Sequence, residues 1–303
     1  MDSTNEQFRQ VYNDTYKLTP YKAQKTHFSP QEYYKFAIAQ HRFLSAQPKS
    51  DEIVIFLVRE INERVLARYE AVAKSIRSIG GSRPVYLVTD KYYPKNVEAA
   101  YSHLRIVYFF ENICFDAGFF YVNTDCMPEK LVITWDRCLF FLSQYKNLYE
   151  KAWILEDDVA IRGAATLGNF FQKYTSDDAD FLAGPPQINE KDPHEWPLWA
   201  ALRDSGLPNL WATYNPIVRV SGRFMDTLAD FVKEKHRLFF LEIFFISLAM
   251  CRGLKYTIFR DLHTHFRFTP VMTFEETQVP TIEFPIFHPV KDMDLWDKIW
   301  SSG

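Results

Sequence analysis

The chain has 303 residues, enough for one or two domains and a sizeable buried core. Lys plus Arg number 35 and Asp plus Glu 38, a net charge of −3 that argues against a protein whose partner is nucleic acid, though not against a small basic pocket for one nucleotide. With 27 Phe, 17 Tyr and 7 Trp the chain is not disordered, and with only 10 Gly it is poorly supplied for glycine-cradle phosphate loops.

Residues 1–50 are polar and tyrosine-rich, broken by Pro20, Pro30 and Pro48, with a helix start at Ser29-Pro30-Gln31-Glu32. They read as an N-terminal helical extension to a single domain over 51–303. From residue 51 strands and helices alternate. Residues 53–58 are a continuous apolar run, as in a strand covered on both faces. Residues 62–79 carry helical apolar spacing and stop at Gly80-Gly81. Strands follow at 85–88 and 105–110, then a helix over 133–148 and a strand at 152–155. Further strands fall at 180–183 and 216–220, helices at 222–233 and 238–252, and a closing strand at 256–259. This alternation predicts an α/β fold on a largely parallel sheet, in which ligands sit beyond the carboxyl ends of the strands.

Cys114, Cys126, Cys138 and Cys251 show no CxxC pairing, so they read as free thiols of a reducing compartment. Met1-Asp2-Ser3-Thr4 opens a polar amino terminus without the apolar core of a signal peptide. The most apolar run, 238–250, is 13 residues long and contains Glu242, too short and too charged to span a bilayer. The expectation is a soluble, cytoplasmic protein with no transmembrane segment.

Strand 152–155 runs directly into Glu156-Asp157-Asp158, followed by Val159-Ala160-Ile161. Three acids between two apolar runs cannot all be buried unpaired, because an isolated buried carboxylate costs several kcal/mol. They call for a cation, unless they form a solvated turn after an edge strand. A hard divalent ion such as Mn²⁺ or Mg²⁺ takes oxygen ligands and also neutralises a diphosphate.

Leu155-Glu156-Asp157-Asp158-Val159 resembles the DxD-type motif of metal-dependent glycosyltransferases of the GT-A fold, and its form is similar to that of the lipopolysaccharide and collagen galactosyltransferase family. The resemblance implies a Rossmann-like GT-A domain, with Asp158 as metal ligand, Glu156 as ribose contact and Asp157 beside them. It extends to Phe287-His288-Pro289-Val290-Lys291, where such enzymes supply a late histidine: His288 would complete the metal shell and Lys291 meet a phosphate. It extends also to Leu241-Glu242-Ile243, where inverting members carry the general base. Desolvation among apolar rings would raise the Glu242 pKa and suit it to taking a hydroxyl proton; a structural Glu held by a helix terminus or Arg237 is the competing reading. The same layout would place Arg59 and Asp90, at the ends of the first two strands, against the nucleotide, although Asp90 could equally cap a turn. Trp135 and Arg137 would face the donor from the start of their helix, or else pack within it.

The resemblance thus implies transfer of a sugar from a UDP- or GDP-linked donor to a hydroxyl of a glycan or glycosylated acceptor. The Trp- and Pro-rich stretch 184–215 offers Trp196, Trp199 and Trp211 as acceptor contacts or as packing residues. Alternatives are a nucleotidyltransferase, which would want a glycine-rich loop where 59–64 has no glycine, and a non-catalytic sugar-binding protein on a transferase-like fold. No GxGxxG, P-loop or GxSxG is present, and His263-Thr264-His265 reads as a satisfied pair.

Overall fold

The computed structural model describes residues 30–79, 81–91, 101–122, 132–188, 199, 202, 204–262, 265–267, 270–278 and 283–303. Trp196, Cys126, His263 and residues 1–29 lie outside them.

Helix α1 (Pro30–Ser45) precedes β1 (Ser50–Val58), α2 (Glu63–Ser78), β2 (Val85–Thr89), β3 (Leu104–Val107), α3 (Glu111–Asp116) and α4 (Thr134–Gln144). Then come β4 (Tyr149–Glu156), β5 (Ala160–Ile161), α5 (Ala165–Tyr174), β6 (Phe181–Ala183), β7 (Gln187–Ile188), β8 (Trp211–Ala212) and β9 (Ile217–Ser221). The chain closes with α6 (Gly222–Lys235), α7 (Leu241–Cys251), β10 (Tyr256–Ile258), β11 (Ile286–Phe287) and α8 (Met293–Ser301).

Seven strands form one sheet in the order β10-β6-β9-β4-β1-β2-β3. All neighbours are parallel except β9, which runs antiparallel to both β4 and β6. The expected α/β class therefore holds, with one reversed strand inside it. Each face of the sheet has its own core. Ile53, Ile55 and Leu57 of β1 pack with α4, α6 and α7, whereas Val54, Phe56 and Val58 pack with α2, α5 and α8. A strand buried on both sides has no solvent face, which is why β1 reads as one unbroken apolar run.

Of the boundaries that differ from the sequence expectation, two have a visible cause. The third strand stops at Val107 because the Gln40 amide of α1 takes over Tyr108: its Nε2 donates to the Tyr108 carbonyl (2.9 Å) and its Oε1 accepts from the Tyr108 N–H (3.0 Å). A side chain thus occupies the hydrogen-bonding edge that a further strand would use. Helix α4 ends at Gln144, and 146–148 tighten into a 3₁₀ turn before β4.

Two features bring distant segments to the carboxyl end of β4. The short antiparallel ladder of β11 on β5 pairs Ile286 with Ile161 and Phe287 with Ala160, so His288 arrives beside the turn after β4. Helix α8 buttresses that turn, where the Trp296 indole N–H donates to the Val159 carbonyl at 2.7 Å. Arg68 of α2 anchors α8 through Asp297, with its guanidinium 4.2 Å above the Trp296 ring.

Candidate functional site

The acidic turn is built by strand termination. Glu156 is the last residue of β4, and its N–H is taken by the Pro216 carbonyl (3.0 Å). The chain reverses through Asp157 and Asp158, and the Asp158 carbonyl accepts from the Val290 N–H at 2.7 Å. The backbone of the acids is therefore tied to the strand on one side and to the His288 segment on the other.

Glu156, Asp158 and His288 converge, each offering one ligand atom with all three atoms within 4.8 Å of one another. His288 Nε2 lies 3.2 Å from Asp158 Oδ1 and 3.5 Å from Glu156 Oε2. Its Nδ1 is 3.0 Å from the Arg267 carbonyl oxygen. A carbonyl can only accept, so Nδ1 carries the proton in the neutral ring and the Nε2 lone pair points at the acids, the tautomer a metal-binding imidazole needs. Asp158 Oδ1 is buried and, apart from its approach to His288 Nε2, makes no hydrogen bond among the described residues, as a carboxylate oxygen facing a cation would. Two carboxylate oxygens and one imidazole nitrogen are a donor set that suits Mn²⁺, with Mg²⁺ the harder alternative.

The electrostatics report the same concentration of acid. Burial alone would lower the His288 pKa, yet hydrogen bonds and charge from Asp158 and Glu156 push it up to about 10. Burial raises the Asp158 carboxyl, but His288, Lys291 and Arg59 outweigh it and hold that group below its usual value. Burial pushes Asp157 up to about 6 against the pull of Arg59, whose N–H and Nε approach Asp157 Oδ2 at 3.4 and 3.6 Å.

Glu242 sits in the first turn of α7, where a negative charge meets the positive end of the helix dipole. Its placement is fixed by the segment before β9: the Thr213 N–H donates to the Glu242 carbonyl (2.8 Å) and Asn215 Nδ2 to that of Leu241 (3.1 Å). Burial raises its pKa well above the usual carboxylate range, nearby Glu156 adds to the rise, and His288 opposes it. Its Oε2 is buried and makes no hydrogen bond among the described residues. Arg237 stacks over Tyr121 and Phe239, at 4.3 and 4.4 Å from the ring centroids.

The remaining sequence candidates fall into two groups. Arg59 and Lys291 are exposed at the rim of the acidic turn. Asp90 and Arg137 are buried and paired: Arg137 donates to Asp90 Oδ1 (2.8 Å), and also to the carbonyls of Phe109 (2.8 Å) and Val132 (3.1 Å). Trp135 is buried and its indole N–H donates to Glu156 Oε1 at 2.7 Å. Trp199 is buried in the core, and half-buried Trp211 on β8 exchanges backbone hydrogen bonds with the Ser247 hydroxyl.

Sequence reasoning missed Arg267, Thr213, Asn215 and Trp296. Arg267 and Thr213 act through the backbone, so their side chains carry no signal. Trp296 was legible in principle, as the apolar face of a short helix capped by Asp292.

No protein-family model matches the chain, and no curated protein sequence matches it. Among solved structures it is similar to the galactosyltransferase LgtC in complex with donor and acceptor sugar analogues (13% identity, 68% of this chain and 72% of that one, TM-score 0.40). It is also similar to core-mannan synthase A (CmsA/Ktr4) from Aspergillus fumigatus in a Mn/GDP form (13% identity, 72% and 77%, TM-score 0.37). A third is mouse xyloside xylosyltransferase 1 in an apo form (9% identity, 69% and 85%, TM-score 0.36).

Proposed function

We propose that this protein is a metal-dependent glycosyltransferase with a GT-A-like domain over 51–303, using a nucleoside-diphosphate sugar, UDP- or GDP-linked, and a hydroxyl of a glycan or glycosylated acceptor. The observation that carries the reading is the meeting of Glu156, Asp158 and His288 at the carboxyl end of β4, from segments 130 residues apart (158 to 288). Asp158, His288 and Glu156 hold Mn²⁺ or Mg²⁺. A bound divalent ion supplies charge neutralisation to the diphosphate leaving group. Arg59 and Lys291, exposed at the rim, meet phosphate oxygens, while Asp157 keeps Arg59 at that rim. Asp90 and Arg137 brace the floor of the nucleotide pocket.

Glu242 is the group that takes the acceptor hydroxyl proton in an inverting displacement. A carboxylate with a raised pKa in a dry setting near the acidic centre is suited to that step. Trp196, Trp199 and Trp211 belong to the acceptor side.

The test is thermal shift against UDP, GDP, CMP and ADP, with and without Mn²⁺, on wild type and Asp158→Ala. The expected result is stabilisation by one nucleotide that requires Mn²⁺ and disappears in the variant. No shift with any nucleotide would remove the donor-site assignment.

A further inference from the structure

Trp135 is the second residue of α4. Its ring lies edge-on to Phe245 of α7, with centroids 5.8 Å apart and planes at 72°. An indole has one donor and no acceptor, and this one is committed to Glu156 Oε1 at 2.7 Å, the distance of a charge-assisted bond.

We propose that Trp135 is a positioning residue of the metal centre: its N–H pins Oε1 of Glu156, turns Oε2 toward His288 and Asp158, and makes Glu156 a one-oxygen ligand. The inference rests on the metal reading above. A carboxylate free at both oxygens can chelate, taking two positions on an ion; one whose outer oxygen is held by an indole offers one. With a divalent ion bound, the protein would contribute three atoms, Glu156 Oε2, Asp158 Oδ1 and His288 Nε2, and leave the ion's remaining positions to substrate oxygens.

The indole can enforce this because its helix turn is immobilised on both sides. The next residue, Asp136, accepts N–H bonds from Val122 (2.9 Å) and Ile133 (2.8 Å). Arg137 after it donates to Asp90 and two carbonyls. Trp135 therefore links the buried Asp90–Arg137 pair to the acidic turn without itself facing solvent.

The experiment measures Mn²⁺ affinity by electron paramagnetic resonance of the free ion, in wild type, Trp135→Phe and Phe245→Leu. Trp135→Phe keeps a ring and loses the donor, and is expected to weaken Mn²⁺ binding roughly 10–100-fold, the usual effect of losing a partner behind a metal ligand. Phe245→Leu loses the ring contact, keeps the donor, and is expected to bind as wild type does. Equal affinity of wild type and Trp135→Phe overturns the inference and leaves the metal reading intact. Equal losses in both variants assign the effect to packing and also overturn it. Absence of Mn²⁺ binding by wild type overturns both readings. A metal-independent measurement accompanies these: the Trp135 indole ¹H–¹⁵N resonance, assigned by its loss in Trp135→Phe, is expected to move in Glu156→Gln. An unmoved resonance overturns the hydrogen bond itself.

Discussion

The two ends of the sheet handle buried charge in opposite ways. At the amino end, Glu52 meets Arg83 at 2.7 Å and Arg219 at 3.7 Å, and Arg219 reaches Asp177 at 2.9 Å. Two guanidiniums face two carboxylates, and the Tyr174 and Asp177 carbonyls and the Thr175 hydroxyl take further donors. At the carboxyl end, Glu156, Asp158 and Glu242 share a single imidazole, His288, while Arg59 and Lys291 stand at the exposed rim. In the first set each charge faces an opposite charge of the protein, although Glu52 Oε1 and Arg219 Nε make no hydrogen bond among the described residues. The second gathers more acid than buried cationic side chains among the described residues, with His288 between Asp158 and Glu156 and Arg59 and Lys291 at the rim. A fold that pairs its buried ions at one end and concentrates acid at the other makes the second end the candidate site.

The largest expected effect tests the amino end. Arg219→Met leaves Glu52 and Asp177 short of a buried partner, and urea unfolding should show a loss of about 3–5 kcal/mol. Its Mn²⁺ affinity, measured under conditions where the variant is folded, should match wild type. A variant that instead lost metal binding while keeping its stability would erase the contrast between the ends.

Next in size is Glu242→Gln, which should keep the fold and lower sugar transfer by about 10²–10⁴-fold, the usual contribution of a positioned base. Its unfolding midpoint should stay level or rise, because the change removes a buried acid that Glu156 disfavours. Unchanged turnover would take the base assignment from Glu242.

The smallest effect sharpens the electrostatics of the carboxyl end. His288 has a folded pKa of about 10 against an ordinary 6.5, so its contribution is fully present below about 6.5 and is lost as pH rises through 10. In protein treated with a chelator, the Tm gap between wild type and His288→Gln should be several degrees at pH 6.5 and should close toward pH 10. A gap that is constant with pH would mean that His288 carries no charge between its acids.

Much of this was legible from residues alone. The unbroken apolar run 53–58 reports burial on both faces, because a strand with a solvent side alternates. Glu156-Asp157-Asp158 between two apolar segments reports an acidic turn at the end of a buried strand, because unpaired acids are too costly to keep inside it. His288 was singled out by the resemblance of Phe287-His288-Pro289-Val290-Lys291, and the β11–β5 ladder, a feature of four residues, is what brings it beside Asp158. Trp135 and Arg137 show the limit most clearly. Two residues apart on one helix, they looked alike as candidates to face a ligand, yet one grips Glu156 and the other Asp90.

Local pattern determined the longer strands and helices of the sheet, their order, the α/β class and the acidic turn, since period and burial cost are written in consecutive residues. The antiparallel course of β9, the arrival of His288 beside Asp158, the seating of Glu242 near the same acids and the grip of Trp135 on Glu156 were decided by tertiary structure. Each depends on where residues far apart in the chain are brought into hydrogen-bonding distance, and side-chain chemistry read along a line carries no such distance.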